Sequence, residues 1–533
     1  MKLFPYKLIL FMVISFYFPT TFCQHGVGTN WQNEILLPRY NESLNPKQRG
    51  VLYNNMVVTS GGRIIISTSE LNASNINQIY GHYLTFSDDG GNSWSTPVRF
   101  TPTDMVIGAS SPKLAIDKNN NVYAIWSSVN PKALFISQLD SNLNILHDSI
   151  RVSSNMSYGN FVPHLTIDRK NRIHVMWNEG STNSSNTAES FYSRSTDGGI
   201  NWSSAIPISS NDGHHSAFPH AQFDNAGDTL AISWRDSVGG LNRWDVYLVF
   251  STDGGQSWTP PIPTITSSDS DWDPDLIIDT NNRIHLFYTK YPATNPFWGA
   301  RNYYTYSDNL GASWQLPNNP ANGMFSDNYR SQLIEGTRYD EKNNILYVTW
   351  KDERDFNFSN GNVQGDIMMT YSTDRGINWI TPEFITDRND STVGFKTATV
   401  LPTGEFAVNY EVISEDDINN PATSVRVYFR KRELSITSVS DDNLSVKDYY
   451  LLQNYPNPFN PITLISYKLP ISSNVKLSIY NLLGEEVSVL VNEHQNAGNY
   501  KVTFDGSELS SAIYFYRLQA SKFSDVKSMI LLK

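Results

Sequence analysis

The chain has 533 residues, of which 13% are aromatic and only 17% are charged, and its formal net charge is −12 at pH 7. This length allows two or more domains, and the aromatic content is typical of β-sheet packing. Because the net charge is negative and no Lys/Arg-rich run is present, the composition argues against a nucleic-acid partner. The single cysteine, Cys23, allows no internal disulfide.

The N-terminus has the pattern of a secretory signal peptide. Lys2 and Lys7 precede an apolar run from Leu8 to Phe18, and a short segment then ends at Cys23. We expect residues 1–23 to be removed on export, with lipidation of Cys23 as the alternative. No later run reaches the roughly 20 apolar residues of a membrane span, so no transmembrane segment is expected.

One short motif, Ser-x-Asp-x-Gly-x-x-Trp, recurs along the chain and organises it. An Asp side chain can accept hydrogen bonds from the backbone N–H groups just ahead of it, and a Gly two residues later adopts a positive φ without strain. The Trp then packs against the returning strand. The motif therefore predicts a tight β-hairpin turn with a structural role for its third residue. These third residues are Asp89, Asp197, Asp253, Asn309 and Asp374.

Each copy of the motif belongs to a repeated unit of about four strands. Two strands separated by an Asn/Asp/Gly-rich turn precede each copy, as in residues 219–224 and 230–234. One interval between copies is twice the usual length, and a degenerate copy of the motif at residues 137–140 accounts for it. Such units predict an all-β fold, a β-propeller with seven blades favoured and six possible. Because the last unit lacks a fourth strand, residues 30–38 are expected to supply it and so hide a sheet edge.

The composition changes after Leu434. Residues 434–449 are polar and rich in Ser and Asp, which predicts a linker after a propeller of residues 24–433. Residues 450–533 contain several short apolar strands, which predict a small C-terminal β-sandwich.

The repeated motif resembles the Asp-box (BNR) repeats of the sialidase-like propeller superfamily, over roughly residues 30–433. That superfamily includes sialidases, other glycosidases and non-enzymatic receptors. The resemblance implies a carbohydrate-active propeller, either exo-sialidase-like or another glycoside hydrolase, with a glycan or glycoconjugate as partner. The alternatives are a non-catalytic surface propeller that binds glycan or protein, and a structural surface-layer component.

The last 80 residues look like the C-terminal sorting domain of the bacterial type IX secretion system. The resemblance rests on NYPNPFNP at residues 454–461, on residues 477–484 and on IYFYRL at residues 513–518. It implies export across a Gram-negative outer membrane, followed by release or attachment at the surface. The secretion machinery would then be a partner, and the protein is otherwise expected to be a monomer.

Strand alternation places the start of each first strand and the end of each second strand on the face opposite the turns of the repeated motif. Polar residues occupy both places. The first group could form a ligand site or, alternatively, could simply line a solvated channel mouth without any function. The starts of the first strands carry Lys113, His164, His220, Asp275, Arg330 and Lys396. The ends of the second strands carry Glu179, Arg235, Asp236, Lys290, Asp352, Glu353, Arg354 and Glu411.

Paired carboxylates can act as general acid with base or nucleophile on a sugar, and arginines can clamp a carboxylate. The sequence thus offers Glu179, Asp236, Asp352 and Glu353 as catalytic candidates. The substrate-binding candidates are Arg235, Arg330, Arg354, His164, His220, Asp275 and Lys113. Sialidases use three arginines and a Tyr nucleophile; the resemblance maps these to Arg235, Arg330 and Arg354 and to Tyr288 or Tyr329. The Arg-Ile-Pro motif of sialidases is absent from this sequence.

No cofactor is expected. Asp269, Asp271, Asp273 and Asp275 form a weak candidate for Ca²⁺, but their spacing matches no known loop. His214, His215 and His220 do not have a zinc-binding spacing and are interpreted as polar loop residues.

Overall fold

A computed structural model describes residues 27–28, 31–40, 47–49, 55–72, 75–108, 112–154, 163–180, 188–210, 212–238, 243–293, 300–315, 331–332, 336–353, 365–387, 391–414, 425–432, 450–451, 454, 459–469, 471–482, 484–496, 498–521 and 523–532. The chain divides into two compact units, Met1–Leu434 and Ser435–Lys533. All regular secondary structure within the described residues is β-strand, as the sequence predicts. In these same ranges no helix combines the length and apolar character that a membrane crossing requires.

The strands of the first unit are numbered in chain order. They are β1 (Ile35–Leu36), β2 (Lys47–Arg49), β3 (Met56–Val58), β4 (Ile64–Asn72), β5 (Asn75–Ser87), β6 (Val98–Arg99), β7 (Val106–Ile107), β8 (Lys113–Ile116), β9 (Val122–Asn130), β10 (Lys132–Leu139), β11 (Ile145–Arg151), β12 (His164–Ile167), β13 (Ile173–Gly180), β14 (Ala188–Ser195), β15 (Ile206–Pro207), β16 (Ser216–Phe223), β17 (Leu230–Ser237), β18 (Trp244–Ser251), β19 (Ile262–Ile265), β20 (Ser270–Ile278), β21 (Ile284–Tyr291), β22 (Arg301–Ser307), β23 (Ser331–Gln332), β24 (Arg338–Asp340), β25 (Ile345–Asp352), β26 (Asp366–Ser372), β27 (Glu383–Phe384), β28 (Ser391–Val400), β29 (Phe406–Ser414) and β30 (Val425–Arg432).

These strands form seven antiparallel sheets within the described residues, which we number as blades 1 to 7. Blade 1 contains β2–β6, blade 2 β7–β11, blade 3 β12–β15, blade 4 β16–β19 and blade 5 β20–β22. Blade 6 contains β23–β27, and blade 7 contains β28–β30 together with β1. In every blade the inner strand is the first of the meander, so its start and the end of the second strand share one face.

Apolar side chains pack between consecutive blades and hold them in order. Trp234 of blade 4 packs with Tyr192 and Met176 of blade 3 in one such cluster. Another joins blade 7 to blade 1 and contains Phe429 and Met56. Because clusters of this kind join each blade to the next and the last blade to the first, the unit is a β-propeller.

The N-terminal segment closes the ring. Ile35 pairs with Phe429 and Leu36 with Tyr428, so β1 is the outer strand of blade 7. Trp31 forms a further bridge with Arg432. The prediction that the start of the domain completes the last blade is confirmed by this pairing.

The repeated motif forms the predicted turn between third and fourth strands. In blade 4, Asp253 Oδ1 accepts hydrogen bonds from the backbone N–H groups of Gln256 and Ser257, each at 2.9 Å. Gly255 has a φ of +82°, and a methyl group there would collide with Tyr192 Oη of the neighbouring blade. The equivalent acceptors Asp89, Asp197, Asn309 and Asp374 each accept the N–H of the residue four positions later.

The second unit contains two further sheets. Its strands are β31 (Tyr450–Leu451), β32 (Ile462–Leu469), β33 (Ser473–Tyr480), β34 (Glu486–Gln495), β35 (Gly498–Asp505), β36 (Ala512–Ala520) and β37 (Phe523–Leu531). One sheet has the order β31-β32-β35 and the other β34-β33-β36-β37. Side chains from both, including Ile465, Tyr467, Leu477 and Tyr516, form one buried core. The unit is therefore the predicted β-sandwich.

Candidate functional site

Three blades place two acids directly opposite each other on the face away from the motif turns. Each pair joins the end of a second strand to the start of a third strand. The pairs are Glu179 with Glu189, Asp236 with Asp245, and Asp352 with Asp366. Like charges in directly opposite positions destabilise a sheet, so their repetition points to a function. We call the ends of blades 3, 4 and 6 that carry these three pairs the acidic face.

Blade 5 lies between two of these blades and has the opposite charge. Lys290 is directly opposite Arg301 at the same position of the sheet. The Lys290 Nζ lies 5.2 Å from the centre of the Tyr303 ring and 3.8 Å from Asp271 Oδ1. The acidic face is thus interrupted by one basic pair.

Glu189 is an acid on this face whose pKa is raised to near neutrality. Its side chain is buried, and this burial raises its pKa to about 7, with the charges of Asp236 and Asp212 adding to the shift. A hydrogen bond from Ser209 Oγ to Glu189 Oε2, at 2.6 Å, acts in the opposite direction. Glu189 Oε1 is buried and has no hydrogen-bond partner among the described residues. Near neutral pH the carboxyl group is therefore partly protonated, and Oε1 is its oxygen without a hydrogen-bond partner in the described part of the chain.

Ser216 connects Glu189 to Asp236. Its hydroxyl donates to Asp236 Oδ2 at 2.6 Å and lies 3.5 Å from Glu189 Oε2. Those two carboxylate oxygens are consequently no more than 6.1 Å apart, the sum of the two distances. Trp234 Nε1 also donates to Asp236 Oδ2, at 3.2 Å, whereas Oδ1 has no partner within the described part of the chain.

Asp271 forms a second buried acidic group, with Asp245, between blades 4 and 5. Burial raises the pKa of Asp271 to about 6; Lys290 and Ser267 lower it, and Asp245 and Asp269 raise it further. Asp271 Oδ2 accepts a hydrogen bond from Ser267 Oγ at 2.9 Å. Burial likewise raises the pKa of Asp245, against the charge of Arg243.

Arg235, an expected carboxylate clamp, is already engaged within the protein. Its Nη1 lies 3.1 Å from Asp273 Oδ1. Its guanidinium lies over the rings of Trp272, Phe218 and Trp244, at 4.1, 4.3 and 4.8 Å from their centres. A stacked and paired arginine of this kind positions the inner strands of two blades and does not have the geometry of an open substrate clamp.

The polar residues at the starts of the inner strands are buried and do not line a solvated mouth. Lys113, His164, His220, Asp275 and Lys396 are all nearly inaccessible to solvent. His220 Nδ1 lies 2.9 Å from Asp275 Oδ1, and the His164 and His220 ring centres are 4.2 Å apart. Burial, with the charges of His220 and Lys113, holds the pKa of His164 well below its usual value. The alternative interpretation of these five residues as a solvated channel mouth is therefore wrong, because their side chains are buried.

The other end of the central channel is open. A cavity of about 650 Å³ is lined by residues from all seven blades, at the ends of the inner strands and in the turns that follow. Arg338 and Tyr339 line it, and an Arg169–Glu341 ion pair joins the turns of blades 3 and 6. This cavity lies on the side of the motif turns and contains none of the predicted catalytic residues.

The four acids that formed a weak Ca²⁺ candidate have separate partners. Asp269 Oδ1 accepts the Ala293 N–H at 3.1 Å, Asp271 is bound by Ser267, and Asp273 is paired with Arg235. Asp275 is bound by His220 and by the Thr337 hydroxyl. They do not share one set of ligand positions.

Of the remaining residues that the sequence predicts for the site, three are buried and three lie outside the described ranges. Tyr288 is buried, and burial followed by the charge of Asp271 raises its pKa, which opposes its use as a nucleophile at neutral pH. Asp352 and Glu353 are buried, with Lys351 Nζ 3.0 Å from Glu353 Oε1. Tyr329, Arg330 and Arg354 lie outside the described residues.

The sequence interpretation missed Glu189 and Asp245. Both are the second residue of a third strand, and that position was not considered although it shares a face with the ends of the second strands. The available signal was an acid at the same place in blades 3 and 4, with Asp366 close to it in blade 6.

A known protein family matches the second unit. Residues 453–532 match the family described as secretion system C-terminal sorting domain. Among curated proteins, none matches this sequence.

Similar solved structures are distant. A polysaccharide lyase, an ulvan lyase bound to a GlcA(1-4)Rha3S saccharide, is 11% identical with a TM-score of 0.47, covering 71% of this chain and 100% of its own. PorZ of Porphyromonas gingivalis, a surface component of the type IX secretion system, is 11% identical with a TM-score of 0.41, covering 90% and 59%. A Hadza microbial sialidase is 14% identical with a TM-score of 0.38, covering 72% and 66%. At these TM-scores the likenesses assign no activity to this chain.

The family match agrees with the residues that carry the resemblance in the second unit. Asn454 at the start of NYPNPFNP is buried, and its backbone N–H donates to Tyr516 Oη at 2.7 Å, which ties the motif to the core of the sandwich. The second unit is a secretion system C-terminal sorting domain of the type IX kind, and the protein that carries it is a secreted or cell-surface β-propeller protein.

Proposed function

We propose that this protein is an extracellular glycoside hydrolase that uses the acidic face of blade 3. In this proposal Glu189 is the general acid and Glu179 is the second carboxylate. The observation that carries it is the raised pKa of the buried Glu189 carboxyl group, together with its Oε1, which has no hydrogen-bond partner among the described residues. Export by a sorting domain supports a substrate outside the cell.

The general acid must hold a proton near neutral pH and present it to the leaving oxygen. A glutamate whose pKa is raised by burial meets the first requirement. For the second, Glu189 Oε2 accepts the Ser209 hydrogen bond, so a proton on the acid is carried by Oε1. This oxygen is buried, so the proposal requires the site to open before the leaving oxygen can reach it.

Glu179 provides the opposite carboxylate. Directly opposite residues of an antiparallel pair have Cβ atoms about 5 Å apart. In glycosidases that retain configuration at the anomeric carbon the two carboxyl groups are about 5 Å apart. The proposal requires the side chains of Glu179 and Glu189 to bring their carboxyl groups to this separation. Trp177 Nε1 donates to Glu179 Oε2 at 3.4 Å, which orients the group.

The proposed reaction then has two steps. Glu179 attacks the anomeric carbon and forms an ester to the sugar while Glu189 gives its proton to the departing glycosidic oxygen. Water then attacks the same carbon, its proton returns to Glu189, and the Glu179 carboxylate is released. Asp236, whose Oδ2 is linked to Glu189 Oε2 through the Ser216 hydroxyl, is the alternative second carboxylate.

Cleavage of a sialic acid is the less favoured form of this proposal. It requires arginines free to bind the substrate carboxylate, and Arg235 is paired with Asp273 and stacked on three rings. The basic pair Lys290 and Arg301 could instead meet an anionic sugar beside the acidic face.

Glycan binding without cleavage is a second candidate function. Trp272 and Tyr291 are half-buried, and their ring centres lie 5.1 Å apart. Aromatic faces of this kind can pack against the apolar face of a sugar ring. Binding of a glycan with no release of product would favour this alternative.

The test is a screen of the purified protein against neutral and acidic polysaccharides, with new reducing ends as the measurement. The variants are Glu189→Gln and Glu179→Gln, and Asp148→Asn, an exposed acid in the outer strand of blade 2, is the matched control. We expect activity in the parent and in the control, and a loss on the order of a hundredfold or more in both glutamate variants. Equal activity in all four proteins would contradict the assignment.

A further inference from the structure

Asp212, His214 and Asp236 bring three metal-ligating groups together at the edge of blade 4. One ligand atom from each lies within 4.8 Å of the other two. Asp212 and His214 are close in sequence and each about 45% exposed, whereas Asp236 is buried beneath them at the end of β17. The group is therefore open to solvent on one side and fixed on the other.

The buried member of this group has an oxygen without a partner. Asp236 Oδ2 accepts hydrogen bonds from Ser216 Oγ and Trp234 Nε1. Asp236 Oδ1 is buried and has no hydrogen-bond partner among the described residues. A buried carboxylate oxygen without a partner is costly, and a cation is a group that would satisfy it.

The turn that carries the two exposed members is already ordered by its own hydrogen bonds. Asp212 Oδ1 accepts the His214 backbone N–H at 3.0 Å, and His214 Nδ1 lies 3.4 Å from the same oxygen. Gly213 between them has a φ of +82° with open space around it. Ligand atoms about 2 Å from a tetrahedral metal ion lie about 3.3 Å from each other. The ligand atoms here lie within 4.8 Å of one another, so the group needs to close by at most about 1.5 Å.

We propose that Asp212, His214 and Asp236 bind a divalent transition-metal ion, of which Zn²⁺ and Mn²⁺ are the best candidates. One imidazole and two carboxylates suit these ions better than Ca²⁺ or Mg²⁺, which prefer oxygen ligands alone. Three protein ligands leave a further position open to water or substrate. Ser216 and Trp234 act as outer partners that orient Asp236 by holding its other oxygen.

This site is independent of the proposed hydrolase activity, because metal uptake is measured without a substrate. It is nevertheless adjacent to Glu189 through Ser216. A cation bound to Asp212 and Asp236 would remove the two charges that add to the raised Glu189 pKa and so lower this pKa, whereas the larger effect of burial would remain.

The experiment uses the protein purified without a histidine tag and stripped with a chelator. Zn²⁺ or Mn²⁺ is added, free metal is removed by gel filtration, and bound metal per chain is measured by elemental analysis alongside the unfolding temperature. His214→Ala is the main variant because it is exposed and should fold, and Asp236→Asn is the second. His147→Ala, an exposed histidine beside Asp148 in blade 2, is the control.

We expect about one ion per chain in the parent and the control, with a higher unfolding temperature when metal is present. His214→Ala should weaken binding by at least tenfold and abolish the thermal shift. An absence of uptake by the parent, or uptake unchanged in His214→Ala, would overturn the site. Displacement of Zn²⁺ by an equal concentration of Ca²⁺ would overturn the choice of a transition metal.

Discussion

Glu179 and Glu189 occupy directly opposite positions on neighbouring strands of blade 3. Two ionised carboxylates in this arrangement repel each other, so the sheet is more stable when one of them holds a proton. Burial, with the charges of Asp236 and Asp212 adding to it, raises the pKa of Glu189, so Glu189 is the group expected to hold a proton near neutral pH. This division of roles between two acids underlies the proposed activity.

The activity should therefore depend on pH through Glu189. Its folded-state pKa is about 7, so the protonated form required for acid catalysis is lost as the pH rises through that value. We expect the rate of glycan cleavage at low substrate concentration to fall about tenfold for each unit above pH 7. Rates at pH 6, 7, 8 and 9 measure this, with circular dichroism at each pH as a control for folding. A rate that stays constant up to pH 9 would exclude Glu189 as the acid.

Asp271 should make the stability depend on pH in the range below neutrality. Its pKa is about 6 in the folded protein against 3.8 for the ordinary group, so the cost of ionising it is absent below pH 4 and complete above pH 6. Asp271→Asn should therefore gain stability over the parent as the pH rises from 4 to 7, by on the order of 2 kcal/mol. Urea unfolding at both pH values provides the comparison, and an equal difference at pH 4 and pH 7 would contradict it.

Closure of the propeller by β1 can be tested with two adjacent leucines. Leu37 is completely buried in the cluster between blades 7 and 1, whereas Leu36 is 42% exposed. We expect Leu37→Ala to lower the free energy of unfolding by about 2–4 kcal/mol, and Leu36→Ala by less than about 0.5 kcal/mol. Similar losses in the two variants, measured by urea unfolding, would argue against β1 as a packed outer strand.

The motif turns should tolerate Asn better than Ala at the acceptor position. Asp253 accepts hydrogen bonds from two backbone N–H groups and from the Ser257 hydroxyl. These hydrogen bonds lower the pKa of Asp253, and the one from the Ser257 hydroxyl has the largest effect. Asn309 makes the equivalent backbone contact in blade 5 without a charge. Asp253→Ala should thus cost about 1 kcal/mol or more and Asp253→Asn less. Because a lowered pKa gives stability that is lost on acidification, the parent should also lose its advantage over Asp253→Asn below pH 4.

The parts of the fold that depend on contacts close in sequence were predictable. The acceptor Asp253 and its donors Gln256 and Ser257 are three and four positions apart, so the motif itself specifies the turn. The sorting domain was predictable for a similar reason, since its motif is continuous. The missing outer strand of blade 7 was predictable because a propeller must pair its edges.

The candidate site depends on contacts between blades, which the sequence does not display. Glu189 and Asp236 meet through Ser216, but only the register of three strands from two blades brings them together. Arg235 has the residue type of a substrate clamp, and its partner Asp273 comes from the next blade. The histidine spacing argued against zinc, whereas the turn at Gly213 places His214 beside an acid of β17.

The most direct test of the proposed activity compares two leaving groups on the sugar that the polysaccharide screen identifies. An acid catalyst is needed for a poor leaving group and is dispensable for a dinitrophenyl group, whereas the nucleophile is needed for both. We predict that Glu189→Gln loses a hundredfold or more in kcat/KM on the natural linkage but less than tenfold in kcat/KM on the dinitrophenyl glycoside, since kcat/KM reports the first step, in which Glu189 acts as the acid. Glu179→Gln should lose kcat/KM on both substrates. Equal loss on the two substrates in Glu189→Gln, or unchanged rates in both variants, would contradict the assignment of these two residues.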